Sequence, residues 1–393
     1  MKYYIIAGEA SGDLHGSNLM KGIYAEDPEA VIRFWGGDLM DEVCRTCGRA
    51  GKTEGEGLVH HYREDAIMGF WEILTHGRRL LRNVSECRKD ILRWKPDVVI
   101  LIDYPGFNFK IAAFSHSHGI RTFYYIAPKV WASREGRIRK LKEYVDRLYI
   151  VFPFEIPYFK SKGVDAVYLG NPLVDSIVGS RAMNESREDF LNRNGLDDRP
   201  VIAMLAGSRK GEISTMMPVL TEFAARMRKI PEYRDYQFLV AGAPARNMDD
   251  YSPYLHEDYE KSGIRVLFGE TQSIIRHAEA AVVNSGTASL ETVLLGTPQV
   301  VGYIGGKISY TIAKHIIKVR YISLGNLILD RLAFRELIQD DCSPENLVLE
   351  VRAMIEDRGY RQRMLGEYEM IKKALGGAGA SKAVAADMIR NVP

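Results

Sequence analysis

One pattern recurs along this chain: a short apolar run, a turn of small residues, then a helical pattern. Residues 281–303, AVVNSGTASLETVLLGTPQVVGY, show it most plainly. Ala281, Val282 and Val283 form the run, and Asn284-Ser285-Gly286-Thr287 forms the turn. Leu290, Val293 and Leu294 then follow at helical offsets, Gly296 and Pro298 close the helix, and Val300-Val301 opens another strand. A strand buried on both faces, followed by a helix that crosses back over the sheet, builds a parallel α/β layer. The turn also leaves backbone N–H groups free at a helix N-terminus, where phosphate oxygens are well received.

The same alternation predicts strands over 3–7, 31–34, 97–103, 122–125, 148–151 and 167–169, with 58–60 a further candidate. It resumes over 201–205, 237–241 and 266–268. With 393 residues the expectation is an α/β protein of two Rossmann-like domains facing across a cleft. Gly170-Asn171-Pro172 reads as the hinge. The domains are then residues 1–172 and 173–360, with helices over 361–393 returning to the first domain or joining a partner chain.

A hydrophobic share of 46% with 26% charged residues is that of a globular protein, and a net charge of +2 gives no general case for nucleic acid. No apolar run reaches the roughly 20 residues of a spanning helix. The N-terminal MKYYIIAGEASGD has no cleavage-like segment, which argues against a signal peptide. Four cysteines suggest a reducing compartment, and the Cys44–Cys47 pair lacks a second pair at zinc spacing. No metal is expected.

In open α/β sheets, ligands gather at the carboxyl ends of strands. Four turns there are candidates: 8–13, 103–106, 207–212 and 284–291. Neither a dinucleotide fingerprint nor a P-loop is present. Asp103 stands at the mouth of the apolar run 97–103 and reads as a helix cap or as a general base. Arg209, in a Gly-Ser-Arg turn, reads as the partner of Glu212 or as a grip on a diphosphate. Glu291 is an exposed helix residue or an acceptor for ribose hydroxyls, and His15 a structural histidine or a proton carrier. Over residues 66–89, Met68, Phe70 and Trp71 precede Arg78 and Arg79. This is a core helix with a basic end, or an element lying on an anionic membrane surface.

Five motifs in order carry a resemblance: AGEASGD at 7–13, IDYPGFN at 102–108, GNPLVD at 170–175, LAGSR at 205–209 and SGTASLE at 285–291. Together with VRYISLGN at 319–326 and RELIQ at 335–339, they make the chain resemble lipid-A-disaccharide synthase along its whole length. The resemblance implies a glycosyltransferase-B fold without a cofactor. It also implies inverting transfer of 2,3-diacylglucosamine from UDP to 2,3-diacylglucosamine 1-phosphate, with Asp103 and Arg209 as the catalytic pair. Substrate contacts then fall to Ser11, Gly12, Asp13, His15, Ser208, Ser285, Gly286, Thr287, Glu291 and Asn326. Met68, Phe70, Trp71, Arg78 and Arg79 would meet the membrane, placing a cytoplasmic protein on the inner-membrane surface, with room for a homodimer.

The chain departs from the family pattern in four places. APKVWAS at 127–133 stands for a Pro-Ser-Val-Trp-Ala-Trp-like run, Asn171 for a His, and Ala206 and Gly325 each for a Pro. The competing readings are another glycosyltransferase-B enzyme, a UDP-sugar epimerase, and a sugar-nucleotide-binding membrane module without catalysis.

Overall fold

The computed structural model describes residues 1–48, 55–66, 76–132, 135–255, 263–305 and 320–392, apart from the side chains of 65, 66 and 76–78. The chain divides into two compact units, Met1–Ser176 with Gly376–Pro393, and Ile177–Leu375. Each is built on one parallel sheet.

The first sheet has seven strands: β1 (Lys2–Ala7), β2 (Val31–Gly36), β3 (Gly57–His61), β4 (Val98–Ile102), β5 (Arg121–Tyr125), β6 (Arg147–Ile150) and β7 (Ala166–Tyr168). Their spatial order is β3-β2-β1-β4-β5-β6-β7. The chain therefore starts in the middle, runs to one edge, returns, and runs to the other. β1 and β4 pair in register, Ile5 beside Ile100 and Ala7 beside Ile102, and every residue of β4 is buried. This explains why 97–103 is apolar on both faces: helices cover both sides of a central parallel strand.

Helices α1 (Ala10–Glu26), α2 (Asp38–Cys47), α3 (His76–Trp94) and α4 (Pro105–Ser117) belong to this unit. Asp13, buried in α1, accepts N–H bonds from Gly37 (2.8 Å), Leu39 (3.1 Å) and Met40 (3.1 Å). It satisfies the orphan donors at the start of α2 from a distant part of the sequence. Asn171 holds the Val151 carbonyl (2.8 Å) and receives the Leu173 N–H (2.9 Å), so the GNP turn is pinned by its amide.

The second sheet has six strands: β8 (Val201–Leu205), β9 (Gln237–Gly242), β10 (Ile264–Phe268), β11 (Ala280–Asn284), β12 (Gln299–Tyr303) and β13 (Glu336–Ile338). Their order is β10-β9-β8-β11-β12-β13, with β8 and β11 buried throughout. The same start-in-the-middle path results. Its helices include α5 (Lys210–Arg228) and α6 (Thr287–Leu295).

The chain re-enters the first unit at Gly376, and helix α7 (Ala380–Asn391) packs there against α1. Asp175 accepts the Gly379 (2.5 Å) and Ser381 (2.8 Å) N–H groups at the start of α7. Asp387 binds Arg147 (2.7 and 3.1 Å) and the Tyr149 hydroxyl (2.9 Å). Among the described residues no helix is long and apolar enough to cross a membrane.

Candidate active site

Each sheet has one topological switch point, where strand order reverses and a crevice opens at the carboxyl ends. In the first unit it lies between β1 and β4, and in the second between β8 and β11. The four candidate turns are the turns that follow these four strands.

After β4 the backbone turns sharply, with Asp103 (φ 42°) and Tyr104 (φ 46°) both left-handed. Two such non-glycine residues in succession cost on the order of 1–3 kcal/mol each, so their surroundings must over-determine them. The Asp103 N–H donates to the Tyr125 carbonyl (3.1 Å). The Asp103 carbonyl accepts from the Tyr124 hydroxyl (2.6 Å) and from Asn108 Nδ2 (2.7 Å), which also reaches the Ile102 carbonyl (3.1 Å). Pro105 supplies the preset φ of the first helical position.

The Tyr104 ring stacks on Phe107 at 5.5 Å and lies against Gly8, where a Cβ would sit 2.3 Å from Tyr104 Cδ1. Gly8 is glycine because the β1 and β4 turns meet there. The effect is to leave the Asp103 side chain exposed at the switch point. Partial burial raises its carboxyl, Lys129 opposes that, and Glu9 on the β1 turn adds to it. Asp103 stays accessible to solvent at the switch point.

The other first-unit residues divide by accessibility. Ser11 is exposed at the start of α1, while Gly12 is buried. Asp13 spends its carboxylate on α2, so it supports the crevice wall through that helix. His15 is held neutral, burial lowering it to about 4 against the pull of Asp175. Arg78 and Arg79 lie in the first turn of α3. Met68, Phe70 and Trp71 lie outside the described residues.

In the second unit, Gly207 (φ 107°) turns the chain after β8, and a Cβ there would meet Glu212 Cβ at 2.6 Å and Asn284 Nδ2 at 2.7 Å. This contact brings the end of β11 against the β8 turn. Glu212 accepts the Ser208 (2.9 Å) and Arg209 (3.2 Å) N–H groups and pairs with the Arg209 guanidinium (2.8 Å). The Arg209 side chain is 79% exposed. An exposed pair of this kind contributes about 0–1 kcal/mol, so a bound anion can take the guanidinium over.

Beside it, Ser285 donates its N–H to the Gly302 carbonyl (3.0 Å) and its hydroxyl to the Ile322 carbonyl (3.3 Å). Ser285 is therefore the fixed edge of the turn. Gly286 and Thr287 are exposed, and α6 starts there without a side-chain cap. Its first amides are the available donors, reinforced by the helix dipole. One turn along, burial pushes Glu291 up to about 7. Among the described residues no hydrogen bond or ion pair that would offset this burial is found.

Asn326 is fully buried: its Oδ1 accepts from Ala333 (2.8 Å) and Phe334 (3.3 Å), and its Nδ2 donates to the Phe334 carbonyl (3.0 Å) and Glu336 (2.8 Å). Glu336 also receives the Ile322 and Ser323 N–H groups and the Ser323 hydroxyl. Asn326 therefore shapes the loop against which Ser285 rests, and both its amide hydrogens are already used. Reading by motif passed over Glu9, Tyr104 and Lys129, although each lies in or next to a candidate turn. Among the described residues no group of three or more His, Cys, Asp or Glu side chains is placed to hold a metal ion.

The family model for lipid-A-disaccharide synthetase matches residues 3–386. The chain is 34% identical to the lipid-A-disaccharide synthase of Geobacter sulfurreducens, over 97% of this chain and 94% of that one. It is 36% identical to that of Syntrophus aciditrophicus, over 97% and 95%. Its fold is similar to UDP-GlcNAc 2-epimerase from Neisseria meningitidis bound to UDP-GlcNAc, with a TM-score of 0.64 at 11% identity, covering 100% of both chains. It is also similar to the S. aureus MnaA–UDP co-structure, at 0.66 and 13%, covering 100% of this chain and 97% of that one.

Glu291 yields a pH test. Its carboxyl is raised from 4.5 to about 7, so the folded protein holds a proton that the unfolded chain releases across that interval. The cost of burying Glu291 is absent below about 4.5, grows between 4.5 and about 7, and is constant above that. Glu291→Gln is expected to raise the melting temperature at pH 8 by about 2–4 °C and to lose that advantage at pH 5. An equal difference at both pH values in thermal scans contradicts the assignment.

Proposed function

As the chain belongs to the lipid-A-disaccharide synthetase family, we infer that it is a glycosyltransferase using a UDP-sugar donor. It transfers 2,3-diacylglucosamine from UDP-2,3-diacylglucosamine to 2,3-diacylglucosamine 1-phosphate. The products are a β-1,6-linked tetraacyl disaccharide 1-phosphate and UDP.

The observation that carries the residue-level reading is the exposed carboxylate of Asp103, held out at a switch point by a strained turn. In a single displacement, the acceptor's 6-hydroxyl oxygen bonds to the donor's anomeric carbon from the face opposite the nucleotide. Its proton passes to Asp103, and the bond to the diphosphate oxygen breaks with its electron pair going to UDP. Attack from the opposite face inverts the configuration. The base must be unprotonated yet not too weak, which suits a carboxyl raised by burial and by Glu9.

The leaving group gains negative charge. Arg209, released from Glu212, and the first amides of α6 at Thr287 are assigned to the diphosphate. Glu291 is assigned to the ribose hydroxyls, where hydrogen-bond donors offset the cost of its burial. Ser11 and Gly12 border the acceptor side. Asp13, Asn326 and Ser285 support these turns.

Both substrates carry acyl chains, and the protein meets them at an anionic membrane surface. Residues 68–79 are the proposed contact, continued along α3, where Leu81 is 59% exposed beside Arg82. Arginine heads and apolar side chains on one element suit the headgroup boundary.

Incubating the purified protein with the two acylated substrates is expected to release UDP and yield a disaccharide whose new linkage is β by NMR. Loss of the sugar to water alone, or an α-linked product, rejects the reading. Sedimentation with anionic vesicles is expected at low salt and to fall as ionic strength rises. A protein left in the supernatant at low salt rejects the membrane contact.

A further inference from the structure

We propose that Lys129 is a positioning residue that grips the acceptor's phosphate while Asp103 takes the proton from the acceptor's hydroxyl. The assignment rests on the glycosyl-transfer reading above. Lys129 stands where the resemblance leads to the expectation of a serine.

The β5 turn is next to the Asp103 turn. Tyr125 lies in register with Ile102, and its carbonyl receives the Asp103 N–H at 3.1 Å. Ile126 then turns left-handed (φ 61°). The segment is fixed on both sides of Lys129: Ala127 donates to the Tyr149 carbonyl (3.2 Å), Val130 is buried, and the Trp131 indole donates to Glu155 (2.9 Å). Lys129 itself is exposed.

Its charge acts on two carboxyls, Asp103 and Glu155. Glu155 already accepts from the Trp131 indole and from the Val151 (3.1 Å) and Phe152 (3.0 Å) N–H groups. Among the described residues Lys129 makes no ion pair. A fixed turn thus presents an available ammonium beside the candidate base.

A neighbouring cation favours the ionised carboxylate, so Lys129 weakens the base until an anion neutralises it. A phosphate resolves the conflict. Its negative charge neutralises Lys129, and Asp103 regains basicity once the correct acceptor is seated. The acceptor carries its phosphate on the same sugar ring as the attacking hydroxyl, and the long lysine stem lets the ammonium reach along that ring. The donor's diphosphate is already assigned to Arg209 and α6, which leaves the acceptor's phosphate for Lys129.

The test uses full-length protein, Lys129→Ser and Lys129→Arg, with the natural acceptor and with phosphate-free 2,3-diacylglucosamine. Lys129→Ser is expected to raise KM for the phosphorylated acceptor about tenfold, to leave KM for the UDP-sugar unchanged, and to spare the phosphate-free acceptor. Lys129→Arg is expected to restore most of the loss. Among the described residues Glu9 and Lys129 are the charged groups acting on Asp103, so Lys129→Ser should also move the acid limb of kcat/KM to higher pH, and Lys129→Arg should not. Equal penalties for both acceptors indicate a structural role and overturn the assignment. So does a change in donor KM, or an effect that vanishes in neutral detergent and therefore belongs to lipid headgroups. If wild-type protein makes no disaccharide, the transfer reading itself fails. If it makes disaccharide and is indifferent to Lys129, only this assignment fails.

Discussion

The left-handed pair Asp103-Tyr104 is the constraint that sets the first unit's switch-point turn. Neither residue adopts that conformation cheaply, and no single contact maintains it. The Tyr124 hydroxyl and the Asn108 amide both bind the Asp103 carbonyl, and Gly8 leaves room for the Tyr104 ring. The contacts that hold the turn engage backbone and ring, and the carboxylate accepts from the Tyr104 N–H while staying exposed. A regular helix cap would have committed the side chain to the amides of the next helix. Asp13 and Asp175 show that alternative in the same unit, each with its carboxylate committed to a helix start.

The second unit has the same topology with different groups at its switch point. Its switch point presents N–H donors and an exposed guanidinium instead of a carboxylate. Two acids temper that positive character. Glu212 occupies the Ser208 and Arg209 amides, and Glu291 carries a burial cost with no offsetting partner among the described residues. Glu212 is well satisfied by these donors, whereas the burial of Glu291 is a local cost in stability.

Much of the fold is legible in the sequence because its signals are local. Runs apolar on both faces mark the central strands, and small-residue turns mark their carboxyl ends. The turns bearing Asp103, Arg209 and Thr287 are visible for the same reason. What escapes local reading is long-range. Asp13 looks like part of a binding turn, yet its partners are the amides of Gly37, Leu39 and Met40. Asn326 looks like a ligand contact, but Phe334 and Glu336 absorb its amide. Glu9 and Lys129 gain meaning only when parallel pairing sets β1, β4 and β5 side by side. Periodicity identifies a strand but does not name its neighbours.

The central claim is a division of labour, with proton removal at Asp103 and nucleotide binding around Arg209 and α6. Calorimetric titration of UDP into Asp103→Asn and Arg209→Ala, on preparations whose turnover is also measured, tests it most directly. The account predicts that Asp103→Asn binds UDP as the wild type does while turnover falls about 10²–10⁴-fold, and that Arg209→Ala weakens UDP binding about tenfold or more. An Asp103→Asn protein that turns over normally, or one that loses UDP affinity while Arg209→Ala keeps it, contradicts the account.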